Sequence, residues 1–376
     1  MDLEEYTTLV AALRSVPDPR KARGQRYPWA LLLTVIAAAL ASNQPHGRAI
    51  SQWVHEHADE LADVLVAAPG RIPSEATLRR ALQAVDVVAL EACVGALRPT
   101  ERPAADLVGI AIDGKAVRGL RAHGRVVHLV SLVRHDGRVL AQTAVADKTN
   151  EITAAARLLA SQPLQHHIVT MDALLTQRAL ARQIRRQGGH YLMVVKDNQP
   201  ALVEAITTLF STPPWLPDER AQEVWETQTL EKGHGRLETR TLLASTTLNG
   251  YLRWPSVGQV LQRTCRRVQL ATGEVTEATS YGITSHTPVE ASPAVLECLW
   301  RGHWTIENRV HYVRDVSFSE DTTRAYVGNT AHALASLRNA ILNLLRDRGW
   351  TRIPDALRHH AARVDRALAL IGVRPA

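Results

Sequence analysis

The chain has 376 residues, with 44 Lys or Arg against 37 Asp or Glu, so its formal charge is +7. This basic balance favours a polyanionic partner, because Lys and Arg release counterions when they neutralise phosphates. Three widely spaced cysteines without a CxxC pair exclude a disulfide scaffold and a cysteine-based zinc finger. The longest apolar run, Trp29 to Ala41, is shorter than the ~20 residues of a membrane span. The sequence starts with acidic residues, unlike a signal peptide. We therefore expect a cytoplasmic protein without a membrane segment.

Residues 1 to about 100 have the pattern of a helical domain. The run that begins at Trp29 predicts a buried helix, and Ser74 is placed to cap a long helix from Glu75 to about Leu97. Arg98–Pro103 is bracketed by prolines, which is typical of a linker. The sequence therefore predicts an N-terminal domain over 1–100, with an accessory or DNA-binding role.

The next segment alternates between strands and helices. Apolar runs predict strands over Leu107–Ile112, Val126–Val133 and Val139–Val145, with an Asp136-Gly137 hairpin turn between the last two. A helix over Glu151–Leu159, a strand over His167–Met171, a helix over Leu175–Gln187 and a strand over Tyr191–Val195 follow. Three antiparallel strands followed by strand–helix–strand crossovers predict an α/β fold, with a mixed sheet flanked by helices.

The pattern changes again after Ala201. A helix over Ala201–Phe210 precedes two strand pairs, Glu223–Leu230 with Leu237–Leu243 and Val257–Leu270 with Val275–Ile283, which predict a β-rich insertion at about 212–288. Helices are then predicted over Ala294–Asp315, Asn329–Arg346 and Asp355–Ile371. We expect one catalytic domain over 104–350 and a C-terminal helix within 351–376.

Two acidic residues directly follow predicted strands. Asp113 follows Ile110–Ile112 and Asp172 follows Ile168–Met171. Open α/β sheets place ligands at the carboxyl ends of their strands, and two carboxylates close together favour a divalent cation between them. Mg²⁺ prefers such oxygen ligands. Capping of the helix that follows Asp172 is the alternative reading of that residue.

A third acid, Glu307, lies on a later predicted helix, in the segment Trp304–Asn308. Three acids that hold two metal ions about 3.5–4 Å apart form a site for in-line phosphoryl transfer. The element order places the three acids as a ribonuclease-H-like fold requires. The expected cofactor is a pair of Mg²⁺ ions, for which Mn²⁺ can substitute.

Seven segments together carry a specific resemblance. They are Ile110–Gly119, Asp147–Ile152, Thr170–Gln177, Val195–Gln199, Gly233–Arg240, Arg301–Asn308 and Asp315–Asp321, in order over about 107–346. In these segments the sequence resembles the DDE transposases of bacterial insertion sequences, specifically the H-repeat-associated type. The resemblance implies a ribonuclease-H-like core, with Asp113, Asp172 and Glu307 as catalytic acids and metal ligands. Glu320 and Asp321 are the next candidates for the third acid.

The wider superfamily has a tyrosine, arginine, glutamate, lysine signature around the last acid. At the same spacing this sequence has Trp300, His303, Glu307 and Arg314. The resemblance thus assigns His303 and Arg314 to the DNA-contacting positions. Arginine can replace lysine as a phosphate contact, although its geometry differs.

Further basic residues lie near the two aspartates. Lys115 and Arg118 follow Asp113 and are predicted to reach DNA phosphates, although ordinary surface charge is an equal alternative for Arg118. A stripe at helical spacing, which we call the arginine stripe, consists of Arg178, Arg182, Arg185 and Arg186. It could follow a DNA backbone, or it could be a solvated helix face.

The resulting hypothesis is a transposase that binds double-stranded DNA. It would bind the terminal inverted repeats of its element, cleave there by metal-dependent hydrolysis and join the 3′-hydroxyl to target DNA. Because two ends must be held together, a homodimer is expected. One alternative is a metal-dependent nuclease without strand transfer. The other is a domesticated DNA-binding protein without turnover, against which the three intact acids argue.

Overall fold

A computed structural model describes residues 8–65, 72–97, 108–117, 127–145, 151–211, 223–322 and 327–373. The chain forms two compact units. The first unit comprises Met1–Ala104, Gly114–Ala154 and Ile306–Ala376, and the second comprises Ala105–Asp113 and Ala155–Thr305. The predicted linker Arg98–Pro103, Arg118 and the first residues of the predicted insertion lie outside the described residues.

The helices and strands have the following bounds. The helices are α1 (Leu9–Arg14), α2 (Trp29–Ala41), α3 (Gly47–Glu56), α4 (Ala58–Leu65), α5 (Glu75–Ala84), α6 (Val87–Gly95), α7 (Glu151–Ala160), α8 (Arg178–Arg186), α9 (Pro200–Ser211), α10 (Pro293–Gly302), α11 (Thr330–Asp347), α12 (Ile353–Ala361) and α13 (Val364–Ile371). The strands are β1 (Val108–Val117), β2 (Val127–Arg134), β3 (Val139–Val145), β4 (His167–Met171), β5 (His190–Val195), β6 (Val224–Gly233), β7 (Arg236–Ser245), β8 (Gln259–Gln269) and β9 (Val275–Thr284).

Helix α2 forms the centre of the first unit. Its bounds agree with the predicted helix, and nearly all its residues are buried. It contacts α1, α3, α11 and α13, so its apolar surface is covered from several sides. In the described parts of the chain, no helix combines the length and the apolar character that crossing a bilayer requires.

Two predicted helices of the first unit are each broken into two. The prediction of one helix over Glu75–Leu97 is wrong, because Val85 is extended and Asp86 caps a new helix by accepting the backbone N–H groups of Val88 and Ala89 at 3.0 Å. The prediction of one C-terminal helix is also wrong. Arg363 is extended there, so α12 and α13 pack against each other as separate helices.

The strands form one mixed sheet in the order β3-β2-β1-β4-β5-β9-β8-β7-β6, which confirms the predicted α/β class. Strands β1, β4 and β5 are parallel, and β5 to β9 and the later pairs are antiparallel. The predicted β-rich segment therefore extends the central sheet. The junction is the pairing of β5 with β9, from Leu192↔Thr284 to Val195↔Tyr281.

Helix α10 packs on β6 and β7 in the second unit and contributes Trp300 to the core. The ring lies against Gly282 of β9, where a Cβ atom would approach it to 2.6 Å. Glu297 of the same helix accepts two hydrogen bonds from Arg263, at 2.7 and 2.9 Å. These contacts fix the end of α10, and thereby His303, which follows it.

Candidate functional site

Asp113 and Asp172 lie at equivalent positions on neighbouring parallel strands. The register pairs Ile110 with Val169 and Ile112 with Met171, so each aspartate is the next residue along its strand. Neighbouring strands are about 4.8 Å apart. Both residues are half-buried and both belong to the second unit. The two aspartates therefore lie side by side where the pairing of β1 with β4 ends. Strand β1 itself continues to Val117, so the prediction that Asp113 follows the end of its strand is wrong.

The carboxylate of Asp172 also supports the turn that leads to α8. Its Oδ1 accepts the backbone N–H of Leu175 at 3.1 Å. Thr176 Oγ1 lies 3.1 Å from the Asp172 carbonyl and 2.5 Å from the Val194 carbonyl. The capping alternative is wrong, because α8 begins after Gln177; Asp172 instead supports the preceding turn with one of its two carboxylate oxygens. This hydrogen bond fixes the orientation of the group and is compatible with a ligand on the other oxygen.

His303 lies next to Asp172 in the second unit. Its Nδ1 is 3.1 Å from the hydroxyl of Thr170, which lies 3.3 Å from the carbonyl of Ile110. Burial lowers the pKa of His303, and this effect outweighs the Asp172 charge, which would raise it. Burial thus favours the neutral imidazole, which offers a phosphate no full positive charge. It can donate from Nε2 only when Nδ1 accepts the Thr170 hydroxyl proton.

Glu307 lies on a π-helix over Ile306–His311 in the first unit, so the predicted continuous helix over Ala294–Asp315 is wrong. A second π-helix covers Val313–Ser317. Glu307 is exposed, whereas Ile306 and Val310 are buried. Consecutive π-helices are rare, and such wide turns are frequent at functional sites. The sequence periodicity does not predict these π-helices, because the apolar spacing is also compatible with an α-helix.

Arg314 and Glu320 are fully buried in the first unit. Arg314 Nε lies 2.5 Å from Glu320 Oε2, and its Nη1 lies 2.7 Å from Gln142 Oε1. Arg338 approaches the same carboxylate at 3.7 Å. Burial would raise the pKa of Glu320, but the charges of Arg314 and Arg338 hold it at about 2. Arg314 can therefore contact DNA only if this ion pair opens, and Glu320 is occupied by arginines.

Lys115 is also buried in an ion pair. Its ammonium group contacts Asp315 and lies 3.9 Å from Asp321. Burial raises the pKa of Asp315 in spite of the Lys115 charge. A phosphate contact by Lys115 would require this cluster to open.

The members of the arginine stripe have different surroundings. Arg178 is exposed, donates to the Arg253 carbonyl and lies 5.1 Å from the Trp254 ring. Arg185 is half-buried and donates to the Gly189 carbonyl at 2.7 Å. Arg182 and Arg186 are exposed. The exposed pair, and not the whole stripe, is thus the part best placed to meet a phosphate backbone.

Sequence reasoning assigned no role to Glu151. This residue begins α7, is buried, and lies where a side chain on Gly114 would be, at 2.7 Å from that Cβ position. A side chain on Gly114 would therefore displace the Glu151 carboxylate. The sequence did contain an indication that Glu151 matters, because the residue falls in the segment Asp147–Ile152 that carries the family resemblance.

The comparisons with known proteins agree on one family. Residues 104–344 match the family described as Transposase DDE domain, and residues 10–97 match the one described as DDE_Tnp_1-associated. The "Putative transposase YncI" of Escherichia coli O157:H7 is 29% identical over 90% of this chain and 87% of its own length. An "Uncharacterized protein in dhlA 3'region" of Xanthobacter autotrophicus is 31% identical over 72% of this chain and 92% of its own. The "H repeat-associated putative transposase YhhI" of Escherichia coli K12 is 25% identical over 91% of both chains. The chain therefore belongs to the DDE transposases, enzymes that act on DNA and use divalent metal ions.

Proposed function

We propose that this chain binds the terminal inverted repeats of an insertion sequence, cleaves the DNA there and joins the freed 3′-hydroxyl to target DNA. The observation that carries the proposal is the placement of Asp113, inside β1, and Asp172, after β4, side by side just past the last residue pair of these strands, Ile112 with Met171. Family membership supports the reaction class.

The donor chemistry of the site fits magnesium. Two carboxylates at one sheet edge are hard oxygen ligands, and their mutual repulsion is relieved by a divalent cation. We propose that Asp113, Asp172 and Glu307 together hold two Mg²⁺ ions, with Mn²⁺ as a substitute. The exposed carboxylate of Glu307 is accessible to a ligand. When bound, such ions activate the attacking oxygen and stabilise the leaving oxygen.

The DNA contacts follow from exposure and charge. Arg182 and Arg186 are exposed on α8, the helix that follows Asp172, whereas the exposed Arg178 donates to a backbone carbonyl. We propose Arg182 and Arg186 as the main phosphate contacts. His303 would contribute a hydrogen bond from Nε2 next to Asp172, with Nδ1 accepting from the Thr170 hydroxyl. Lys115 and Arg314 would contribute after their ion pairs open.

We propose the following roles for the segments of the chain. Residues 1–100 are an accessory DNA-binding domain, residues 104–350 the catalytic domain with its β-rich insertion, and residues 351–376 a C-terminal segment. Because two element ends must be joined in one reaction, two copies of the chain would hold them in a synaptic complex at the bacterial nucleoid.

The test uses the full-length chain and a linear duplex that ends in the DNA flanking its own gene. With Mg²⁺ and a supercoiled target plasmid, we expect nicking at the element end and covalent joining of that end to the plasmid. Asp113→Asn and Asp172→Asn should abolish both products, whereas Glu274→Gln, an exposed acid of the same unit, should not. Cleavage without joining would establish the nuclease alternative. Binding without either product would establish the inactive DNA-binding protein.

A further inference from the structure

A cluster of two histidines and a glutamate lies away from the two aspartates. His190 is the first residue of β5, His286 follows β9, and Glu290 lies in the next turn. His190 is paired with Ile168 at the amino end of β4, whereas Asp172 follows the carboxyl end of that strand. Four residues of strand, about 13 Å, separate the two positions. The cluster is therefore not part of the aspartate site.

The geometry of the cluster suits a bound cation. One ligand atom from each of His190, His286 and Glu290 lies within 4.8 Å of the others. His286 is only 2% exposed, its Nδ1 lies 3.8 Å from Glu290 Oε2, and neither ring nitrogen is within hydrogen-bond distance of a described residue. Buried polar nitrogens without hydrogen bonds are uncommon in native proteins and require a partner to explain them.

Two of the three groups are held by neighbouring residues in a way that leaves a ligand atom available. His190 Nδ1 lies 3.2 Å from Ser285 Oγ, and with Nδ1–H donating to that oxygen the lone pair of the neutral ring is on Nε2. Glu290 Oε2 accepts the backbone N–H of Thr287 at 2.8 Å and its hydroxyl at 3.0 Å, which leaves Oε1. Support of this kind orients metal ligands in known sites.

We propose that His190, His286 and Glu290 bind a divalent transition-metal ion, for which Zn²⁺ is the natural choice. Two imidazoles and one carboxylate, completed by water, form a common zinc ligand set. Imidazole ligands favour zinc over magnesium, so the cluster and the aspartate pair select different ions. The ion would join β5 to β9 and to the turn that precedes α10.

Two features of the described conformation oppose binding and define what must change. The rings of His190 and His286 are stacked, with centroids 3.7 Å apart and planes 4° apart, so their in-plane lone pairs run side by side. One ring must rotate before both nitrogens can reach one ion. The nearby charge of Arg185 also acts on both histidines and disfavours a cation, whereas the charge of Glu290 favours one. The competing explanation of the cluster is purely structural: two histidines stack on each other, and Glu290 stabilises the adjacent turn.

Equilibrium dialysis tests the proposal with full-length protein that carries no histidine tag. In excess Mg²⁺, we expect one Zn²⁺ per chain, and His190→Gln or Glu290→Gln should weaken this binding by more than about tenfold. Two variants of the same unit are controls. His166→Asn changes an exposed histidine at a positive φ that asparagine tolerates, and Asp113→Asn changes the aspartate site. Both should retain full zinc affinity.

Substitution with Co²⁺ supplies a second readout that does not depend on activity. The proposed site predicts intense visible bands of four- or five-coordinate cobalt, which Zn²⁺ displaces and Glu290→Gln removes. Circular dichroism establishes that the variants are folded; if His286→Gln does not fold, the other two substitutions decide. Absence of stoichiometric Zn²⁺ binding overturns the proposal. Binding that survives both substitutions, or that is lost in Asp113→Asn, overturns it as well.

Discussion

Arg314 forms a buried ion pair with Glu320 in the interior of the first unit. Glu307, which precedes both residues in the sequence, is exposed on a π-helix. Two acids of one short segment thus have opposite surroundings. The buried carboxylate is neutralised by arginines, and the exposed one is accessible to a metal ion and to DNA. This contrast separates Glu307, the proposed third catalytic acid, from Glu320, its nearest rival.

We expect Glu307→Gln and Glu320→Gln to fail in different ways. Glu307→Gln should abolish DNA cleavage and leave the melting temperature unchanged, because the residue is exposed. Glu320→Gln should cost about 3–5 kcal/mol, since it leaves buried arginine charge uncompensated, and should lower the melting temperature by roughly 10 °C. Thermal melts and cleavage assays on both variants check this. Near wild-type cleavage by Glu307→Gln would show that the third acid is wrongly assigned.

The same ion pair predicts a pH dependence of stability. The pKa of Glu320 is held at about 2, below its ordinary value of 4.5. A carboxyl with a lowered pKa stabilises the fold fully above its unfolded-state pKa, and this stabilisation is lost as pH falls through the folded-state value. The gap in unfolding free energy between wild type and Glu320→Gln should therefore shrink by about 3 kcal/mol from pH 5 to pH 2. Denaturant titrations at each pH measure it, and a gap independent of pH would contradict the ion-pair account.

Metal substitution tests the proposed ligand set. Mg²⁺ and Mn²⁺ should support cleavage, because the proposed ligands are carboxylate oxygens. Ca²⁺ should permit DNA binding with little cleavage, since its looser coordination positions the reacting oxygens poorly. Gel-shift and cleavage assays in parallel, after chelation and readdition of each ion, provide the measurement. Full cleavage in excess chelator would contradict a metal-dependent site.

The contact between Gly282 and Trp300 predicts a packing defect. A Cβ at Gly282 would lie 2.6 Å from the Trp300 ring, so Gly282→Ala should destabilise the second unit by about 1–3 kcal/mol. Gly250→Ala is the matched control, because a Cβ there meets no atom within 4 Å. Trp300→Phe in the Gly282→Ala background should recover part of the lost stability, because the smaller phenyl side chain reaches less far toward the new methyl group. Equal melting temperatures for the two glycine variants would show that the ring moves freely.

The sequence predicts the elements with strong local patterns. The apolar run at Trp29 gave the correct helix, and the strands up to Val195 gave the correct element order. They also placed Asp172 correctly after a strand, whereas Asp113 lies inside β1. Interruptions within helices were missed, because Asp86 resembles any polar residue in an amphipathic pattern. The π-helix at Glu307 was missed because its apolar spacing is also compatible with an α-helix.

The other errors in the sequence-based predictions concern residues that contact partners far away in the sequence. Lys115 and Arg314 read as free basic residues in the sequence, yet the fold buries each against carboxylates. Lys115 finds Asp315 across 200 residues of sequence, a pairing that no local pattern reports. The pairing of β5 with β9 is equally non-local, so the sequence did not show that the predicted β-rich insertion continues the main sheet.

The different surroundings of the arginines on α8 sharpen the test of DNA binding. Arg182 and Arg186 are exposed, whereas Arg178 and Arg185 donate to backbone carbonyls. Substitution of Arg182 and Arg186 with Gln keeps good helix formers and removes two charges. If these residues contact phosphates, affinity should fall equally for end-containing and random duplexes, because phosphate contacts carry no sequence information. The salt dependence of log affinity should then decrease by up to about two units.

The paired substitution Arg178→Gln with Arg185→Gln is the matched control for charge. It removes the same charge from the same helix but breaks contacts to the Arg253 and Gly189 carbonyls, so it should lower stability more than it lowers the salt dependence. Fluorescence anisotropy over a salt series, together with thermal melts, separates the two effects. Unchanged affinity and salt dependence in the Arg182 and Arg186 double variant would identify the stripe as a solvated helix face. A loss confined to end-containing DNA would contradict phosphate contact as well, because only a group that reads bases distinguishes the two duplexes.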